Sequence, residues 1–104
     1  MTLEQFRKSV AQVNAPPGSS RALRAMWEDA KGNWNAAHAI AQEIDDSTGS
    51  WIHAYLHRKE GDLGNAGYWY RRARQSIAED TLEEEWERIV LALLRSGDAV
   101  LDDK

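Results

Sequence analysis

Apolar residues recur along the chain at three- and four-residue intervals, and no stretch keeps the two-residue alternation of a half-buried strand. Leu3, Phe6, Val10 and Val13 fall on one helical stripe, entered through Thr2 and Gln5 at capping-box spacing. Asn14-Ala15-Pro16-Pro17-Gly18 ends that helix, because two prolines cannot continue it. Leu23, Met26, Trp27 and Ala30 line a second helix, capped by Ser19 or Ser20 and stopped by Gly32. Ala37, Ile40, Ala41 and Ile44 line a third, capped by Asn33 or Asn35. Asp45-Asp46-Ser47-Thr48-Gly49-Ser50 has the composition of a loop. Ser50 is then the cap of a fourth helix, which carries Trp51, Ile52, Tyr55 and Leu56 and ends at Gly61. A turn at Asp62-Leu63-Gly64-Asn65 leads into a fifth helix, from about Asn65 to Ala78, with Ala66, Tyr70, Ala73 and Ile77 on one face. Thr81-Leu82-Glu83-Glu84 is a second capping box, and Leu82, Trp86, Ile89, Val90, Leu93 and Leu94 give the last helix the clearest period, with Gly97 as its end.

The pattern predicts an all-α fold of five to six helices in one domain. Residues 1–15 are expected to form an N-terminal helix, 20–78 two antiparallel helical hairpins, 81–97 a C-terminal capping helix, and 98–104 a loose tail. A chain of 104 residues suffices for one hydrophobic core. Five of its nine aromatic residues are tryptophans (Trp27, Trp34, Trp51, Trp69 and Trp86), so bulky rings and alanines are expected to fill that core. The absence of cysteine excludes a disulfide scaffold and a thiolate zinc site. The formal charge of −4 gives no support to a nucleic-acid partner. No apolar run approaches a membrane span and no signal-like segment opens the chain, so a cytoplasmic protein is expected.

The second and third helices resemble the fourth and fifth. Aligning Gly32 with Gly61 matches Ala25 with Ala54, Ala37 with Ala66 and Ala41 with Tyr70. Small residues at these places let two antiparallel helices approach closely, with glycine at the turn between them. The segment Asn65-Ala66-Gly67-Tyr68-Trp69-Tyr70-Arg71-Arg72-Ala73 resembles the second helix of tetratricopeptide and Sel-like repeats. The stretch from Trp51 to Asp62, continuing into that helix, resembles a family of small uncharacterised helical proteins. The resemblance covers about residues 20–75. It implies antiparallel hairpins stacked in a tetratricopeptide-like array and brings with it no catalytic residue.

Three histidines are the first candidate site. His53 and His57 stand i, i+4 on one helix and share a face. If the third and fourth helices fold back about a loop centred near Thr48, His38 falls level with His57 or Arg58, and Glu43 falls level with His53. Three imidazoles, or two and a carboxylate, make a first shell for a divalent metal. The same residues would serve equally as hydrogen-bonded polar groups between helices. Arg58, Tyr68, Arg71 and Arg72, with Trp69 among them, form a second candidate, since arginine beside aromatic rings suits an interface or an anion pocket. Paired guanidinium heads on packed stems are the plainer reading. The acids Glu79, Asp80, Glu83, Glu84, Glu85 and Glu87 read as a solvated helix start, with Glu84 and Arg88 as an i, i+4 pair.

No nucleophile elbow, phosphate loop, dinucleotide fingerprint or calcium loop occurs. The expected function is a non-enzymatic binding module that takes a peptide, a protein or a small anionic ligand through His38, His53, His57, Arg58, Tyr68, Trp69, Arg71 and Arg72. No cofactor is expected under that reading. The alternatives are a small metal- or histidine-dependent enzyme centred on His38, His53 and His57, and a structural protein that assembles as a homodimer.

Overall fold

The structure, a computed structural model, describes residues 1–96, which contain six helices: α1 (Leu3–Ser9), α2 (Arg21–Ala30), α3 (Trp34–Gln42), α4 (Ser47–Lys59), α5 (Leu63–Ala73) and α6 (Leu82–Arg95). No strand occurs among the described residues, and the fold is all-α. None of these helices is long and apolar enough to cross a membrane. Gly97 and the segment 98–104, expected as a helix stop and a loose tail, lie outside the described residues.

The two hairpins, α2 with α3 and α4 with α5, are the most extensively packed helix pairs. Their aligned positions are all buried: Ala25, Ala54, Ala37, Ala66, Ala41 and Tyr70. The likeness extends to the turns. Gly32 (φ 93°) and Gly61 (φ 90°) both sit in the left-handed region, where a side chain would be strained. In the first turn Asn33 N–H donates to Glu28 O and Gly32 N–H to Asp29 O, both at 2.9 Å. In the second, Asp62 N–H donates to His57 O at 2.9 Å and Gly61 N–H to Arg58 O at 3.0 Å. Each is the same two-bond closure of a helix C-terminus.

The main core gathers Phe6, Leu23, Met26, Ile52, Leu56, Ile89 and Val90, with Trp27 and Trp86 at its edges. Both edge indoles donate to backbone carbonyls, Trp27 Nε1 to Ser9 O at 3.1 Å and Trp86 Nε1 to Met26 O at 3.0 Å. Helix α6 lies across α1, α2 and α4. It reaches α5 through a hydrogen bond from Tyr70 to Glu85.

Several boundaries differ from the sequence expectation. Helix α1 stops at Ser9, short of Val13, which is 88% exposed. Helix α4 begins at Ser47, so Ser47–Ser50 is its first turn and not a loop. Asp46 caps it, accepting from Gly49 N–H at 2.9 Å. Gly49 is needed there for closeness, since a Cβ would lie 2.0 Å from the Ile44 carbonyl oxygen. Helix α5 starts at Leu63 and ends at Ala73, leaving Ile77 61% exposed where the stripe placed it in the core. Arg74 (φ 59°) takes the left-handed position usually held by glycine, and Gln75 N–H donates back to Tyr70 O. No glycine announced that stop.

Candidate functional site

The three histidines meet in the seam between α3 and α4. His38 Nε2 and His53 Nε2 face each other across 2.9 Å, and suitable nitrogens of His38, His53 and His57 all lie within 4.8 Å of one another. The ring centroids of His38 lie 4.5 Å from His53 and 5.2 Å from His57. His53 and His57, one helical turn apart, stack at 4.9 Å. His53 and His57 are buried and His38 is half-buried. The register follows from where α4 begins. With the chain reversing over Glu43–Asp46, His38 packs against both His53 and His57, the closer contact being to His53, where a reversal near Thr48 would place it level with His57 or Arg58. Glu43, expected beside His53, is instead exposed at the end of α3.

Two tryptophans wall the cluster. Trp34, one turn before His38 on α3, stacks on its ring at 4.8 Å and 11° between planes. Its Nε1–H donates to Leu56 O at 2.8 Å, which fixes the indole across the seam. Trp69 of α5 stacks on His53 at 4.0 Å and 9°. Trp34 was expected only as one of the rings that fill the core. Its i, i+4 spacing to His38 was the available sign of more.

Burial favours the neutral form of His53 and His38. His53 is held down to about 4, first because burial strips water from its charged form and then because His38 and His57 would repel that charge. His38 is lowered too, by burial and by His57, against the opposing pull of Glu60. His57 Nδ1 lies 2.7 Å from Glu60 Oε2. Neutral nitrogen lone pairs are what a metal ion requires.

The second candidate group divides. Arg72 lies over Trp69 (5.2 Å to the ring centroid) and Tyr68 (5.9 Å), and donates to the Tyr68 hydroxyl at 3.1 Å. Tyr68, Arg71 and Arg72 are exposed. Arg58 is separate from them. It donates to Glu85 Oε1 at 2.8 Å and to the Asp80 carbonyl, both within the fold.

Glu85 was read as solvated and is instead fully buried. Its carboxylate also accepts from Trp51 Nε1 at 3.2 Å and from the Tyr70 hydroxyl at 2.7 and 2.8 Å. The sign was positional: Glu85 stands between Leu82 and Ile89 on the apolar stripe of α6. The expected Glu84–Arg88 pair gives way as well. Glu84 closes the capping box with Thr81, and Arg88 forks onto Asp80 at 2.8 and 3.1 Å.

Compared with protein-family models, with curated proteins and with solved structures, the chain matches none. Among the described residues, two groups have ligand atoms close enough for one ion, His38 with His53 and His57, and His57 with Glu60 and Asp62. In the second group Asp62 already caps α5, accepting from Asn65 N–H at 3.3 Å.

Proposed function

We propose that this protein is a binding module whose occupant is a divalent transition-metal ion, held by His38, His53 and His57. The observation that carries this reading is the approach of three imidazoles from two helices to within 4.8 Å, nitrogen to nitrogen. Imidazole nitrogens on a tetrahedral zinc stand about 3.3 Å apart, given bonds of about 2.0–2.1 Å. The His38–His53 separation of 2.9 Å is close to that already, so an ion would replace the proton the two rings share. All-nitrogen donors suit zinc, nickel and copper. Three protein ligands also leave a position for water or an anion. Trp34 and Trp69 support the reading by packing flat on two of the rings, which restricts their rotation and shields them from water. We read the paired hairpins as tetratricopeptide-like scaffolding for the seam.

Titration of the purified chain with zinc, followed by calorimetry, tests the proposal. One ion per chain is expected in the parent, with affinity lost in both His38→Ala and His53→Gln variants. Zinc binding no tighter than in a chain with all three histidines replaced would overturn it.

A second reading rests on a different observation. Tyr68, Arg71 and Arg72 are exposed on α5, as a surface for an anionic peptide or small ligand requires. Arg72 lies over both Tyr68 and Trp69, and Trp69 stacks on the buried His53, so the exposed group adjoins the histidine seam.

A further inference from the structure

Glu60 lies outside the three-imidazole set, yet it touches one member of it. Its carboxylate is 2.7 Å from His57 Nδ1, three residues back on the same helix. A carboxylate there accepts a hydrogen bond from Nδ1–H and leaves Nε2 as the lone-pair nitrogen. Glu60 is held where it is by the turn. Its own N–H donates to Leu56 O at 3.1 Å, and Asp62 N–H donates to the His57 carbonyl at 2.9 Å. Backbone and ring of His57 are thus tied to the same few residues.

The first hairpin supplies an internal control. Its turn has the same backbone bonds and the same positive-φ glycine, but Glu28 stands where His57 does and Lys31 where Glu60 does. The His57–Glu60 pair is therefore not needed to build this kind of turn. Glu60 is also 39% exposed at its side chain, so burial does not demand the contact.

We infer that Glu60 is a positioning residue for the histidine cluster: it fixes the Nδ1–H tautomer of His57 and so aims Nε2 at the ion. The inference rests on the metal reading above. It assigns Glu60 to His57 and not to the ion, in contrast to a direct site built from His57, Glu60 and Asp62.

The test has an arm that needs no metal. Nitrogen-15 NMR of the imidazoles in the metal-free chain should find His57 as the Nδ1–H tautomer. That state should be lost in Glu60→Ala and largely kept in Glu60→Gln, whose amide oxygen can still accept. Zinc affinity should fall about 10–100-fold in Glu60→Ala, the usual cost of losing such a partner, and less in Glu60→Gln. The visible spectrum of the cobalt-loaded chain should stay the same in both variants. The inference is overturned if His57 keeps its tautomer in Glu60→Ala. It is equally overturned if the cobalt spectrum changes form, which would make Glu60 a ligand, or if the parent binds two ions. Should the parent bind no zinc while the tautomer still follows Glu60, the metal reading falls and the positioning of His57 by Glu60 stands.

Discussion

Helix α4 carries two polar clusters on different sides, and they are filled in different ways. Around Glu85 every neighbour is a donor: Arg58, Tyr70 and Trp51 all aim N–H or O–H groups at one carboxylate. In the histidine seam the neighbours are like groups. Two Nε2 atoms face each other at 2.9 Å, and only one of them holds the proton between them when both rings are neutral. A carboxylate ringed by donors is complete and fastens α4, α5 and α6 together. The histidines share protons among themselves and with Glu60, and neutral rings so paired can trade a shared proton for a cation. The comparison separates a charge neutralised by its donors from a cluster of like, neutral rings.

The sharpest way to break the comparison is to empty the first cluster. Glu85→Ala would take the carboxylate from the half-buried Arg58 and leave a hydroxyl and an indole unpaired, and should cost about 3–5 kcal/mol in urea unfolding, as for other broken buried pairs. Tyr70→Phe removes one donor to the same carboxylate and should cost about 1.5–3 kcal/mol.

Alkaline titration tests that second variant further. Burial, followed by the bond and charge of Glu85, raises Tyr70 above the ordinary tyrosine range. Below about pH 10 both folded and unfolded chains keep this phenol protonated. Above it only the unfolded chain ionises freely, so stability should fall as pH rises. Tyr70→Phe should make that fall shallower than in the parent.

The smallest stability effect is expected in the second cluster. His38→Ala should cost about 1–1.5 kcal/mol in unfolding, because this half-buried ring gives up one neutral hydrogen bond and its stacking on Trp34. Zinc binding should disappear in the same variant. A large loss of stability there would make the histidines a fastening like Glu85 and erase the distinction.

Much of the histidine seam was legible beforehand. The His53–His57 spacing puts two rings on one helical face, and any tight reversal after α3 brings His38 back towards them. Its register was not legible, because Ser47-Thr48-Gly49-Ser50 has loop composition. Asp46 turned those residues into a helical turn by capping it. Tertiary contact likewise overrode local signals at Glu85, where three donors from α4 and α5 made burial of a carboxylate affordable. The stop at Arg74 left no mark, since a left-handed arginine looks like any other arginine in sequence. The helices themselves were read easily, because alanine pairs, capping boxes and glycine turns all agreed with the apolar period.

The face-to-face stacking of Trp34 on His38 and Trp69 on His53 has an optical consequence. An excited indole gives up an electron readily to a protonated imidazole beside it and poorly to a neutral one. Trp27 and Trp86 keep their N–H groups on backbone carbonyls elsewhere, and Trp51 keeps its own on Glu85. The light from two of the five tryptophans is therefore coupled to the charge of the histidines. The chain carries a built-in gauge of its histidine cluster, with three indoles elsewhere as a background against which to read it.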